Sequence, residues 1–359
     1  MRPLRGWAAA AVLILICDSP SYTADSRSLD IYFIDVGGGQ STLIVTPARE
    51  TLLIDAGWAG AGERDSRPGD PSAARDPGRI VAAMRDAGVD RIDYLLVTHF
   101  HRDHIGGIPE LARLVPIGTF IDQGSAYPPE DRARPDYLDM LDVQAYDDYL
   151  PVRARARHIE PRPGDVLPVK GVRTVVVSSN RSTLRAPLSS SGGRNSACPA
   201  IPMTSYPGDE NLRSTGVLLE FGRFRFLDVG DLNANPLFDL VCPWDRIGRI
   251  DLYLAPHHGG SGAADPATLA AFQPRAVVVN NAPRKGGRAS MLRMLNEAKG
   301  LDSWQLHVSA EAGGDNAPPE RIANLESATG YWLKVTASRD GSFALTNART
   351  GITKAYPAR

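Results

Sequence analysis

Residues 29–36, Leu-Asp-Ile-Tyr-Phe-Ile-Asp-Val, read as a strand from their β-branched and aromatic content, and Gly37-Gly38-Gly39 follows as a break. Two further runs at 41–45 and 51–55 follow across short polar turns, so the chain opens as a β-meander. Residues 57–78 are rich in Gly, Ala, Arg, Asp and Pro and predict a loop. Apolar residues at helical spacing over 80–87, ending at Gly88, predict a helix with a glycine cap. A strand at 94–97 and a helix over 108–114 come next, then a mixed stretch at 127–156 expected to cover a site as a helical or loop insertion. Strands are expected at 166–169 and 172–177. Residues 178–213 have no sustained period and predict a long loop, of the kind that is functional or mobile in compact domains. The second half repeats this grammar, with strands at 217–221, 224–227, 252–255 and 276–279 and a helix over 289–298. Residues 331–335 and 343–345, joined through Asp340-Gly341, predict a hairpin. Two β-rich halves with helices outside imply an α+β sandwich covered by helices.

The N-terminus changes the expected compartment. Arg2 and Arg5 precede an apolar stretch at 7–17 and a polar run at 18–21, the layout of a secretory signal assigned to residues 1–24. Its core of about eleven residues is too short for a stable membrane span, so the protein is expected to be exported, periplasmic or secreted, with no stable membrane span after signal cleavage. Cleavage fits after Ser19-x-Ser21 or at Ala24, whereas Ile16 before Cys17 makes a poor lipoprotein box. With Cys17 removed, Cys198 and Cys242 fit either a disulfide or two buried thiols. Apolar residues at 43%, charged residues at 23% and a formal charge of -1 describe a chain with ample core and give no argument for bulk electrostatic binding to nucleic acid, while leaving room for a local basic groove from a few placed residues.

Candidate chemistry concentrates directly after the strand at 94–97. His99-Phe100-His101-Arg102-Asp103-His104 places three of the seven histidines and a carboxylate within six residues. Imidazole nitrogen and carboxylate oxygen suit zinc, and four such ligands on one strand-to-helix turn serve one or two ions. His158 and His307 are each isolated and read as packing or surface residues rather than ligands. Asp231 taken alone is ordinary Gly-Asp turn chemistry, and Asp55 ends a strand. Asn280, Asn281, Arg284 and Lys285 follow the strand at 276–279 and fit either an anion-holding edge or a solvated loop.

In order, the chain carries Phe33-Ile34-Asp35-Val36-Gly37, Leu53-Ile54-Asp55-Ala56-Gly57, Thr98-His99-Phe100-His101-Arg102-Asp103-His104-Ile105-Gly106-Gly107, Val229-Gly230-Asp231-Leu232 and Pro256-His257-His258-Gly259-Gly260-Ser261. This series resembles metallo-β-lactamase-fold hydrolases, and most of all the hydrolase domain of ComEC-type DNA-uptake proteins and their free-standing relatives. The resemblance runs from about Leu29 to Val279 and implies an αββα sandwich with metals at one edge. It implies a hydrolase domain over 29–300, followed by a C-terminal extension with a hairpin over 301–359.

By the same resemblance, His99 and His101 hold a first metal, Asp103 and His104 a second, and Asp231 bridges them. One of His257 and His258 completes the second site, with His257 favoured as nearer its strand, and Asp55 orients a ligand from behind. The family's usual third histidine on the first metal is absent, since nothing between His158 and His257 supplies it. Asn211, in Asn211-Leu212-Arg213-Ser214, stands near its place as a weak ligand or a holder of water.

The implied cofactor is one or two Zn2+ ions, with Mn2+ an alternative. The implied function is an exported metal-dependent hydrolase using a metal-bound hydroxide, with Asp103 or Asp231 passing the proton. Phosphodiesters head the substrate classes, whether in nucleic acid, wall polymer or a small molecule. Ester, lactone or β-lactam hydrolysis and a catalytically inactive metal-binding module are the competing readings. Beyond the signal, no apolar segment is long enough for a translocating channel.

Overall fold

A computed structural model describes residues 28–125, 139–189, 191–199, 209–260 and 265–359. The expected signal at 1–24 lies outside the described residues, as does the first part of the insertion at 127–156. Six strands form in the first half: β1 (Leu29–Phe33), β2 (Thr42–Val45), β3 (Thr51–Ile54), β4 (Ile92–Leu96), β5 (Ile117–Ile121) and β6 (Arg157–Ile159). The first three pair antiparallel as the expected meander, and β3 to β6 continue the sheet in parallel. The second sheet begins with β7 (Val166–Leu167) and β8 (Arg173–Ser179) and continues antiparallel through Gly216–Phe221 and Phe224–Asp228. From there Leu252–Leu254, Ala276–Val279, Asp302–His307 and Ile322–Asn324 add in parallel.

The strands alternate in side-chain direction, yet both faces are apolar because both are covered. Ile31 and Phe33 of β1 meet Val217, Leu219, Phe221 and Phe226 in the layer between the sheets, where the Phe33 and Phe226 rings sit edge to face at 5.6 Å. Tyr32, Leu53 and Leu95 face outward against helices α1 (Arg75–Asp86), α2 (Ile108–Leu114) and Met140–Arg153. Leu218, Leu227, Tyr253 and Val277 face outward against Ala234–Val241, Pro266–Phe272 and Ala289–Glu297. Helix, sheet, sheet, helix is thus the observed αββα order.

Three differences from the expected pattern have physical reasons. Helix α1 starts at Arg75 rather than 80, because its first turn is anchored by polar contacts that leave no apolar periodicity: Asp76 accepts from the Trp58 amide at 2.8 Å. The tail at 301–359, set apart as an extension, is woven into both sheets: Asp302–His307 and Ile322–Asn324 extend the second, while Leu333–Ala337 pairs antiparallel with β1. The expected hairpin is present and gains a third strand, Thr353–Tyr356. The long stretch at 178–213 is only partly loop: it includes the end of β8, a short pairing of Gly193–Arg194 with Trp244–Asp245 and a 3-10 turn at Glu210–Arg213. Cys198 and Cys242 form a disulfide that ties this stretch to Ala234–Val241, with a Cα separation of 5.8 Å. No helix among the described residues is long and apolar enough to cross a membrane.

Candidate metal centre

In a parallel sheet the chain leaves every strand at the same edge. Asp55 follows β3 and the histidine cluster follows β4; Asp231, His257-His258 and Lys285 follow Phe224–Asp228, Leu252–Leu254 and Ala276–Val279. The sandwich brings these two sets of strand ends together. His99, His104 and Asp231 offer ligand atoms within 4.8 Å of one another, and Asp103, His104 and His258 do the same. All of these residues are buried, with Asp103 the most accessible at 7%.

The individual distances have the spacing of groups gathered around a shared cation. His104 Nε2 lies 3.4 Å from both Asp103 Oδ2 and Asp231 Oδ2. His258 Nε2 lies 3.1 Å from Asp103 Oδ2 and 3.2 Å from Asp231 Oδ2. His99 Nε2 is 2.9 Å from His101 Nδ1 and 3.9 Å from Asp231 Oδ2. His104 Nε2 and Asp231 Oδ1 are buried with no hydrogen-bond partner, a costly condition that a divalent ion relieves. The donor set of imidazole and carboxylate therefore fits zinc or manganese.

Charge organises the cluster in the same sense. Burial would raise the Asp103 carboxyl, but Lys285 and then His104 outweigh it and hold it well below the usual carboxylate range. Burial likewise opposes ionisation of Asp231, and His258 and His104 overcome it. Burial would lower His104, yet Asp231, Asp103 and Asp55 together raise it well above its ordinary value. His99 goes the other way: burial, then the neighbouring His104 and His101, depress it.

Asp55 stands behind this centre. It is fully buried at φ 58, a left-handed backbone angle sparsely used by non-glycine residues. Its Oδ1 accepts from the Thr98 amide at 2.8 Å, and its Oδ2 accepts from Thr98 Oγ1 and His104 Nδ1, each at 2.7 Å. With an ion bound, the proton held on Nδ1 by Asp55 would leave the Nε2 lone pair facing the cluster.

His257 and His258 also have left-handed backbones, at φ 51 and φ 55. Two successive angles of this kind cost about 1–3 kcal/mol each and persist only where surrounding bonds impose them. Here His257 N donates to Gly230 O at 3.1 Å and Gly287 N donates to His258 O at 2.8 Å. Gly230 itself sits at φ +55, and a Cβ there would lie 2.6 Å from Thr98 Cβ, so only glycine lets the Asp231 turn approach the histidine loop.

The turn reverses the expected order of the two histidines: it is His258 that enters the buried cluster. His257, nearer its strand, keeps a side chain 36% exposed with Nε2 4.0 Å from Asp231. Asn211 lies in the 3-10 turn at Glu210–Arg213, buried, its Oδ1 without a hydrogen-bond partner. The neighbouring Glu210 accepts from the Phe100 amide at 3.3 Å, which packs this turn against the histidine loop. His158 and His307 are held away from the cluster by carboxylates, His158 Nε2 on Asp122 at 2.8 Å and His307 Nε2 on Asp35 at 3.1 Å. Asn281 donates to His307 O at 2.8 Å, a structural contact.

Two partners complete the surroundings: the Gln40–Asp228 pair had no signal in the sequence, and Lys285, read as an anion-holding or solvated residue, proves to be the partner of a carboxylate. Gln40 Nε2 donates to both oxygens of the buried Asp228, at 3.1 and 3.2 Å, bridging the two sheets beneath the centre. Lys285 pairs with Asp103, and a cleft of about 1220 Å³ opens beside them, lined among others by Trp58, Arg64, His101 and Arg284.

The match to one family model agrees with this architecture. Residues 34–179 match the model of the metallo-beta-lactamase superfamily. An atrochrysone carboxyl ACP thioesterase from Aspergillus terreus is 36% identical over 78 residues, 22% of this chain and 20% of that protein. A hydroxyacylglutathione hydrolase from Aliivibrio salmonicida is 46% identical over 44 residues, 11% of this chain and 17% of that protein. The chain thus spans about a fifth of the length of these curated relatives. Among solved structures, a metallo hydrolase from the archaeon Ignicoccus hospitalis superposes over 85% of this chain and 98% of its own, at 13% identity and a TM-score of 0.41.

Proposed function

We propose that this chain, which has the metallo-β-lactamase fold, is an exported metal-dependent hydrolase acting on phosphodiesters. The observation that carries the reading is the pair of ligand groups joined through His104, with His104 Nε2 and Asp231 Oδ1 buried and unpartnered beside an open cleft. His99, His101 and Asp231 would hold one ion and Asp103 and His258 a second, with the single Nε2 lone pair of His104 available to one of the two. Divalent ions bound there supply Lewis acidity, polarising the substrate oxygen and lowering the pKa of water towards about 7.

The protein's own groups do the remaining work. Asp55 keeps His104 in the tautomer whose Nε2 faces the centre. Asp103 and Asp231 are the two carboxylates at the centre through which a proton would pass. Arg64 and Arg284 line the cleft and complement the single negative charge of a phosphodiester. Export is supported by the signal-like N-terminus and by the Cys198–Cys242 bridge, since disulfides persist in oxidising compartments.

The test is a panel of phosphodiesters and carbonyl esters assayed with and without added Zn2+ or Mn2+. Phosphodiester turnover that is lost on chelation and in His101→Ala supports the reading; turnover that survives both overturns it. Ester or thioester hydrolysis is the second reading, favoured by the names of the two relatives, a thioesterase and a hydroxyacylglutathione hydrolase. Turnover of carbonyl substrates alone selects it.

A further inference from the structure

Lys285 contacts two of the three members of the second ligand group. Its Nζ pairs with Asp103 and lies 3.4 Å from His258 Nε2. The same ammonium sits 4.9 Å from the centre of the Trp58 ring, an arrangement that favours a cation. Among the described residues its ion pair is with Asp103 alone, so the His99–His104–Asp231 group is not engaged in the same way.

The backbone places Lys285 there. Ala282 N donates to Lys285 O at 2.8 Å, closing a tight turn, and Gly287 N and Arg288 N donate to His258 O and Gly259 O at 2.8 and 3.0 Å. Gly286 sits at φ +69, where a Cβ would lie 2.1 Å from His258 O. The turn that carries Lys285 is therefore clamped onto the turn that carries His258.

We propose that Lys285 is a tethered cation occupying the place of the second metal, so that a second ion enters only by displacing it from Asp103. A metal ion bound at about 2.0–2.2 Å from a carboxylate oxygen and an ammonium on that same oxygen repel each other and compete for it. The wild-type centre accordingly takes one ion tightly, at the His99–His104–Asp231 group, and a second only weakly. This rests on the metal-centre reading above and adds that the two positions are unequal.

Zinc binding measured by calorimetry and by elemental analysis after dialysis tests this on the full chain. Wild type is expected to retain about one equivalent, whereas Lys285→Met, which keeps most of the unbranched stem but not the charge, is expected to retain about two, with the second bound at least about tenfold more tightly than in wild type. Lys285→Arg keeps a cation and is expected to stay at one. Lys285→Gln is a second neutral variant should Lys285→Met fail to fold, as judged by circular dichroism and thermal unfolding. Two tight equivalents in wild type, or one in both neutral variants, overturns the proposal and leaves the metal-centre reading standing. No zinc on wild type or any folded variant overturns both.

Discussion

Replacing Asp55 with Asn tests how the centre is built, because the change removes one charge and one acceptor and almost nothing else. Asn tolerates the left-handed backbone at φ 58, so the turn after β3 is preserved. Three donors converge on the carboxylate: the Thr98 amide on Oδ1, and Thr98 Oγ1 with His104 Nδ1 on Oδ2. An amide cannot receive all three. With its oxygen towards His104, its NH2 opposes the Thr98 amide at what was a 2.8 Å contact. Flipped, it faces His104 Nδ1 and drives the ring proton onto Nε2, the atom wanted for metal. Either arrangement leaves a buried donor unsatisfied, at about 1–3 kcal/mol. Loss of such a supporting carboxylate typically weakens metal binding about 10–100-fold, or about 1.4–2.7 kcal/mol. The assay is competition for Zn2+ against a chromophoric chelator at neutral pH, paired with urea unfolding of the metal-free protein. Wild-type zinc affinity in a folded Asp55→Asn protein would refute the role assigned to Asp55.

Two further outcomes are expected. Burial, with Asp55 nearby, raises the Asp228 carboxyl to about 7 against its hydrogen bonds from the Gly230 amide and Gln40. Folded Asp228 therefore keeps a proton that the unfolded chain gives up near pH 4, so its contribution to stability is intact below about pH 4 and falls as pH rises to about 7. In metal-free protein, Asp228→Asn should gain stability relative to wild type across that window, by up to about 4 kcal/mol for a shift of about three units; denaturation curves that stay parallel from pH 4.5 to 8 would refute it. Separately, the Cys198–Cys242 bridge spans a sequence separation of 44, for which loop-closure entropy gives about 4 kcal/mol, so Cys198→Ser/Cys242→Ser should unfold at clearly lower temperature; an unchanged midpoint contradicts this.

Much of the sandwich was legible because both of its β-rich halves are written in local chemistry. Ile31 and Phe33 on one face and Tyr32 and Ile34 on the other form a run that only a doubly covered strand buries. The tail was less legible: Asp302–His307 contains Asp302, Ser303, Gln305 and His307, which bond to partners outside the strand such as Tyr356, Asn296, Asn316 and Asp35. Helix Ala234–Val241 is apolar where it packs on the second sheet, but a short run of that kind has no period long enough to identify it.

The ligand types were carried by the chain alone, since His99, His101, Asp103 and His104 are close through covalent spacing after a strand. Which atoms meet was a matter of the third dimension. Asp231 and His258 reach His104 because two sheets are stacked with their parallel strand ends at one edge. His258 displaces His257 from the cluster because two left-handed residues turn the chain, held by Gly230 and Gly287. Lys285 lies 182 residues from Asp103 in sequence, and no local pattern encodes an ion pair at that distance. Short-range sterics and side-chain chemistry act within a few residues, whereas the balance of charge in a buried centre depends on whatever the packing of the whole core brings alongside.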